Sequence, residues 1–226
     1  MRDFITKHKS YILYFLIYFP MGAICPLIGQ YLSSIGFSGT QVGVVTAFGT
    51  GAAVIGGMFW GRVYANSRSK RLVIALMFLL AAFSSLVSLT ITGFLTYTLI
   101  YGLLYFNQGP SHGLCDSMVM DKNENFPAIR AMGAIGYAIA VFICGQLAKA
   151  MGLRINFVIH AAVFILAALM MKTFTEPSNY SKKHETGEAI KIRELFKDDD
   201  FTKLLVFSFF ALGPTMPTTP ISAISI

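Results

Sequence analysis

Two charged residues stand inside apolar runs where a helix crossing hydrocarbon would carry none: Asp116 in GLCDSMVM and Arg130 in FPAIRAMGAIGYAIAVFICG. A polar loop, Asp121 to Phe126, separates them. At a rise of about 1.5 Å per residue, each charge lies roughly 6 to 8 Å from that loop, so the two fall at matching depth on consecutive antiparallel helices. Ionisable side chains in a membrane are costly, face a bundle interior or a wet cavity, and by default mark function. Arginine is also a planar multi-donor, suited to hydroxyl or carboxylate recognition. The expectation is a site for a small polar solute.

Three further residues join them by spacing. Gln108, His112 and Asp116 recur at i, i+4, i+8 and share one helical face. Gly109-Pro110 lies beside them, and lost backbone hydrogen bonds there are tolerated only where the backbone is buried or lines a cavity. On the next helix Arg130, Gly133, Ala134, Tyr137 and Val141 share a face, with Tyr137 two turns beyond Arg130 as an aromatic platform. The alternative is an Asp116 to Arg130 pair that only fixes helix packing, and such pairs are weak evidence for stability. The binding reading is preferred because of the default for intramembrane charge. His112 is open to either role, and its shared face with Asp116 places it with the cavity.

The first apolar run aligns Tyr18, Gly22, Pro26 and Gln30 at spacing four. Pro20 and Pro26 loosen that helix, as in helices lining a transport path. A Pro-kinked packing helix with interfacial tyrosines at Tyr11 and Tyr14 is the equal alternative. His160, alone among apolar residues, reads as a satisfied buried histidine.

Seven apolar segments must position these groups: Tyr11 to Ile35, Thr40 to Tyr64, Leu72 to Ile91, Gly93 to Met120, Pro127 to Ala150, Leu153 to Phe174, and Phe201 to Ile226. Each is long enough to span about 30 Å of hydrocarbon. With 55% hydrophobic and 13% charged residues and a mean hydropathy of +0.63, the fold class is an all-α polytopic membrane protein. The polar stretch Thr175 to Asp200 contains a weakly amphipathic piece at Ile190, Ile192, Leu195 and Phe196. Of the 18 Lys and Arg, only Lys149 and Arg154 fall on the outside if the N-terminus is cytoplasmic, which fixes that orientation. The same distribution explains the net charge of +7 without nucleic acid. The first apolar run is too long for a signal peptide and lacks an A-x-A cleavage site, so it is kept as an uncleaved helix.

Small residues pace two segments. Gly43, Ala47 and Gly51, and Ala53, Gly57 and Gly61, give the second segment two close-packing stripes; Gly133, Gly136, Ala140 and Gly145 give the fifth one. Cys25, Cys115 and Cys144 have no metal-like spacing and read as packing residues. There is no P-loop, HExxH, GxSxG or Cys/His metal spacing, so no enzyme chemistry, cofactor or metal is expected. The Asn179-Tyr180-Ser181 sequon lies in the expected cytoplasmic loop and carries no meaning.

Two stretches resemble the major facilitator superfamily, whose members have two six-helix halves joined by a long cytoplasmic loop. GRVYANSRSKR, Gly61 to Arg71, is similar in register to its G-x-x-x-D-R-x-G-R-R-R loop: Gly61, Lys70 and Arg71 fit, while Ala65, Asn66 and Arg68 depart from it. IRAMGAIGYA, Ile129 to Ala138, resembles the fifth helix of the lactose permease, oligosaccharide and phenylpropionate-like proton symporters, where an Arg is followed by G-x-x-G and an aromatic. The resemblance implies that Arg130 hydrogen-bonds substrate, that Asp116 is its acidic partner and that Tyr137 stacks on a ring. It implies a conformational role for Gly61, Lys70 and Arg71, and alternating-access transport with protons as a further partner. Tyr137 replaces the Trp, and Asp116 the Glu, of the galactoside-binding member, so no galactoside preference is implied. The organisation expected is a six-helix bundle over 1–174, a cytoplasmic loop over 175–200 and the start of a second half over 201–226. Such a chain is a truncated product in a bacterial inner membrane, a half-sized transporter that homodimerises, or a membrane scaffold that transports nothing.

Overall fold

The computed structural model describes residues 2–120, 125–174 and 203. The described residues are helical without a strand: α1 (Arg2–Ile24), α2 (Ile28–Ser34), α3 (Gly39–Asn66), α4 (Lys70–Ser88), α5 (Phe94–Met120), α6 (Phe126–Met151) and α7 (Ile155–Met170), closed by a 3-10 turn, Met171–Thr173. The chain divides into two units, Met1–Ser178 and Asn179–Ile226. Of the second, Lys203 is helical and exposed. The expected loop, 175–200, and the expected seventh span, 201–226, apart from Lys203, lie outside the described residues.

The six apolar segments expected before residue 175 are helical, the first in two pieces. Pro26 has no N–H to donate, and α1 ends at Ile24 and restarts as α2 at Ile28. Pro20 is accommodated inside α1. Local chemistry sets the other boundaries. Gly36 at φ +94° permits the turn after α2, and a capping box of Ser38 and Gln41 opens α3. Pro127 in the first turn and the Asn125 side chain, which accepts from the Ala128 N–H, open α6. Gly152 at φ +87° closes it.

Helices next in sequence are not always the main packing partners. The most extensive pairings are α3 with α5, α1 with α6, and α4 with α7, while α5 and α6 barely touch. Backbones approach closely where glycine removes the side chain. A Cβ on Gly56 would lie 2.2 Å from the Phe106 carbonyl oxygen. That carbonyl is four residues before Pro110, which can neither donate to it nor avoid crowding it, and α3 closes over the spot with a bare backbone. A Cβ on Gly22 would lie 2.5 Å from the Tyr137 carbonyl, and one on Gly136 would lie 2.7 Å from that of Phe15.

The small-residue stripes expected on the second segment hold at Ala53, which packs against Gly109 of α5, and otherwise require correction. Gly43, Gly51, Gly57 and Gly61 meet nothing within 4 Å. The buried face of α3 is instead Val45, Gly49, Gly56, Trp60 and Tyr64. Burial of the Trp60 and Tyr64 rings rotates the helix so that Gly49 and Gly56 meet α5, leaving the other glycines outward. On α6, Gly133, Gly136 and Ala140 pack on α1 as expected, but Gly145 faces open space.

Among the described residues, five helical stretches are long and apolar enough to cross a membrane: His8–Ser34, Gly39–Asn66, Lys70–Ser88, Phe126–Met151 and Ile155–Thr173. The molecule is therefore a multi-pass integral membrane protein. At 27 residues α5 is long enough, but Asn107, Gln108, His112 and Asp116 dilute its apolar character. At one end Lys9 sits 5.3 Å over the Phe174 ring and Arg71 donates to the Phe174 carbonyl at 3.1 Å. The starts of α1 and α4 and the end of α7 thus meet in one basic corner. At the opposite end the Arg154 guanidinium donates to the Leu89 carbonyl.

Candidate functional site

The site is built on three helices: α1 packs on α6 and reaches α5 through the side chains of Tyr14 and Tyr18. Asp116 is one-fifth exposed and divides its carboxylate between two neighbours. The Tyr14 hydroxyl, on a fully buried ring, donates to Oδ1, and an Arg130 guanidinium nitrogen stands 3.8 Å from Oδ2. Arg130 is 60% exposed and lies 6.0 Å over the Phe126 ring. Phe126 in turn meets Tyr14 edge-on at 6.2 Å.

The second layer comes one turn deeper. The Tyr18 ring stacks on Tyr14 at 6.2 Å and meets the His112 imidazole edge-on at 4.8 Å. Gly133 makes room for it, since a Cβ there would lie 2.7 Å from the Tyr18 ring. His112 Nε2 is buried with no hydrogen-bond partner. Tyr18 is near enough to interact with both Asp116 and Arg130. Asp116, Arg130 and His112 are therefore brought together around two tyrosines.

Gln108 and Tyr137 are placed differently. Gln108 is buried and turned toward α7, its Oε1 3.1 Å from His160 Nε2. It shares a helical stripe with Asp116 without joining it. Gln108 engages one nitrogen of His160, while Nδ1 has no partner, so this histidine is only half satisfied. Tyr137 lies half-buried farther along α6, and its neighbours include Cys25 and Tyr105. Gly61, Lys70 and Arg71 stand apart from the cluster. Gly61 faces open space, Lys70 sits 5.3 Å over the Tyr64 ring, and Arg71 belongs to the basic corner.

Tyr14 is the residue that sequence reasoning assigned elsewhere, as an interfacial ring. Its signal was present: the line Tyr18, Gly22, Pro26, Gln30, extended back by four, arrives at Tyr14. In the structure that line holds for Tyr18 and Gly22, whereas Pro26 and Gln30 are exposed beyond the helix break.

Chemically the cluster offers an acceptor, a planar multi-donor, phenols and an imidazole beside aromatic rings, which suits hydroxylated or ring-bearing solutes. The described residues hold no group of three or more His, Cys, Asp or Glu able to bind a metal. At 3.8 Å, with its arginine 60% exposed, the ion pair is long and screened on the arginine side and contributes little to stability. The guanidinium is thus a poor clamp and an accessible donor.

Residues 8–211 match the MFS_1 like family. An uncharacterized transporter of Bacillus subtilis (strain 168), YwbF, is 22% identical over 209 residues, covering 90% of this chain and 52% of that protein. A maltose permease of Geobacillus stearothermophilus is 25% identical over the same length and with the same coverage. The putative nucleoside transporter YegT of Escherichia coli (strain K12) is 29% identical over 154 residues, covering 65% of this chain and 36% of that protein. A crystal structure of the nucleoside transporter NupG superposes with a TM-score of 0.78 at 21% identity, covering 90% of this chain and 54% of that one. The chain spans about half the length of YwbF, the maltose permease and NupG, and about a third of that of YegT. These relatives and neighbours are transporters, not enzymes.

Proposed function

The chain belongs to the MFS_1 like family, of the major facilitator type, and we propose from that premise that it forms the N-terminal half of a secondary transporter. In this reading it moves a small polar solute such as a sugar, nucleoside or aromatic acid by alternating access, coupled to protons, with the N-terminus in the cytoplasm of a bacterial inner membrane. Arg130, Asp116 and His112 contact the solute, Tyr14 and Tyr18 complete the polar wall, and Tyr137 supplies a ring platform deeper in the cavity. Gln108 supports the wall from behind through His160. A second bundle faces this wall and completes the cavity.

The observation that carries the reading is the exposed Arg130 guanidinium, 3.8 Å from Asp116, on a face otherwise walled by aromatic rings. A clamp between helices would be buried and short. The relatives' names point to sugar and nucleoside transport, in keeping with such a wall.

The test is uptake of a radiolabelled panel, one sugar, one nucleoside and one aromatic acid, by cells expressing the complete transporter, this chain together with its second bundle, or its Arg130→Lys variant. Lysine keeps the charge and loses the fork, so uptake of the transported solute falls at least about tenfold at equal membrane content. Unchanged uptake in the variant rejects the assignment of Arg130.

A further inference from the structure

We propose that the groove between the start of α4 and the end of α7 is a binding site for an anionic phospholipid, the headgroup at the basic corner and one acyl chain along the helices. The groove has a volume of about 450 Å³, with Arg71 and Lys172 among its lining residues and, among the described residues, no carboxylate. Its walls are apolar: Leu72, Ala75 and Leu79 on α4 and Leu169 on α7. Leu72, Leu79 and Leu169 are 61%, 47% and 52% exposed, so the trough opens outward from the bundle. Seven residues from Leu72 to Leu79 give it a length of about 10 Å along the helix axis.

Charge selects the headgroup. Helix α4 opens with Lys70 and Arg71 and has no acidic residue in its first turn, so cations sit at the positive end of the helix dipole, where an anion is favoured. Arg71 is fixed by its bond to the Phe174 carbonyl, and the five donors of a guanidinium allow it to hold a carbonyl and a phosphate together. Lys9 over the Phe174 ring adds a third cation to the same corner. In the proposed orientation this corner faces the cytoplasmic leaflet, where basic pockets between membrane helices bind anionic headgroups. The apolar trough below the cations distinguishes a lipid from a free anion, which would use the rim alone.

The test is native mass spectrometry of the full chain in detergent, titrated with phosphatidylglycerol or phosphatidylcholine. Phosphatidylglycerol is retained preferentially. Each cation removed costs about fivefold in affinity, so the Arg71→Gln/Lys172→Gln double variant loses about 25-fold for phosphatidylglycerol and little for phosphatidylcholine. Leu79→Trp, or Leu169→Trp where the first does not fold, fills the trough with the cations intact and also weakens retention. Equal retention of the two lipids by the wild-type chain, or no lipid retained, overturns the proposal. So does wild-type affinity in both trough-filled variants, or displacement by glycerol phosphate as effective as by intact lipid.

Discussion

At the scale of single residues, Asp116 is held by its neighbour on α1 more firmly than by its opposite charge. One oxygen accepts from a fully buried phenol, and the other faces a guanidinium at 3.8 Å that is mostly solvated. A hydrogen bond to a charged group contributes about 1.5 to 3 kcal/mol, whereas an exposed ion pair contributes about 0 to 1 kcal/mol. Tyr14→Phe should therefore lower stability by about 1 to 3 kcal/mol, measured as a fall in the thermal unfolding midpoint in detergent. The charge pair itself was legible in the sequence, because charge inside an apolar run is conspicuous. Tyr14 was less so, because tyrosine is common at membrane interfaces and its spacing from Tyr18 gains meaning only once α1 is known to present both rings to α5.

At the scale of the helices, sequence showed where six spans run and less of which faces meet. Hydropathy and turn chemistry locate the spans because each must cross the same hydrocarbon thickness and end in a polar or glycine-bearing turn. Facing is a property of the pair. The small residues of α3 repeat every four residues on more than one line; the glycine on the line that also carries Trp60 and Tyr64 is packed, while Gly57 and Gly61 on another line face open space. The contrast is testable with adjacent residues. Gly56→Ala drives a methyl group against the Phe106 carbonyl and should cost about 1 to 3 kcal/mol, the usual range for overpacking. Gly57→Ala points into open space and should stay within about 0.5 kcal/mol, as for surface substitutions. Thermal unfolding of the two variants beside wild type reads both, and equal destabilisation would contradict the packing described here. The same limit applied to Gln108: a stripe at spacing four kept it with Asp116, but its amide turns to His160 on α7, a neighbour that no spacing on α5 reveals.

At the scale of the whole molecule, the bundle brings its basic ends together, and this gives the proposed orientation a direct check. The Thr92-Gly93 turn before α5 belongs to the end opposite the Lys9, Arg71 and Phe174 corner. In a Cys25→Ser background, with Cys115 and Cys144 buried, Thr92→Cys should react with a membrane-impermeant maleimide on intact cells, and Ser67→Cys only after the membrane is opened. The reverse pattern would invert the topology.

The central claim, that the Asp116 and Arg130 cluster is a solute site and not a helix clasp, is tested most directly by measuring uptake and thermal stability side by side for Arg130→Gln in the complete transporter, this chain together with its second bundle. An exposed, long ion pair contributes little to folding, so the unfolding midpoint should stay within about 3 °C of wild type. Uptake per folded molecule should fall at least about tenfold, because the charged planar donor to the solute is gone. Unchanged uptake per folded molecule, with activity lost only in proportion to lost protein, would contradict the account and return the pair to a structural role.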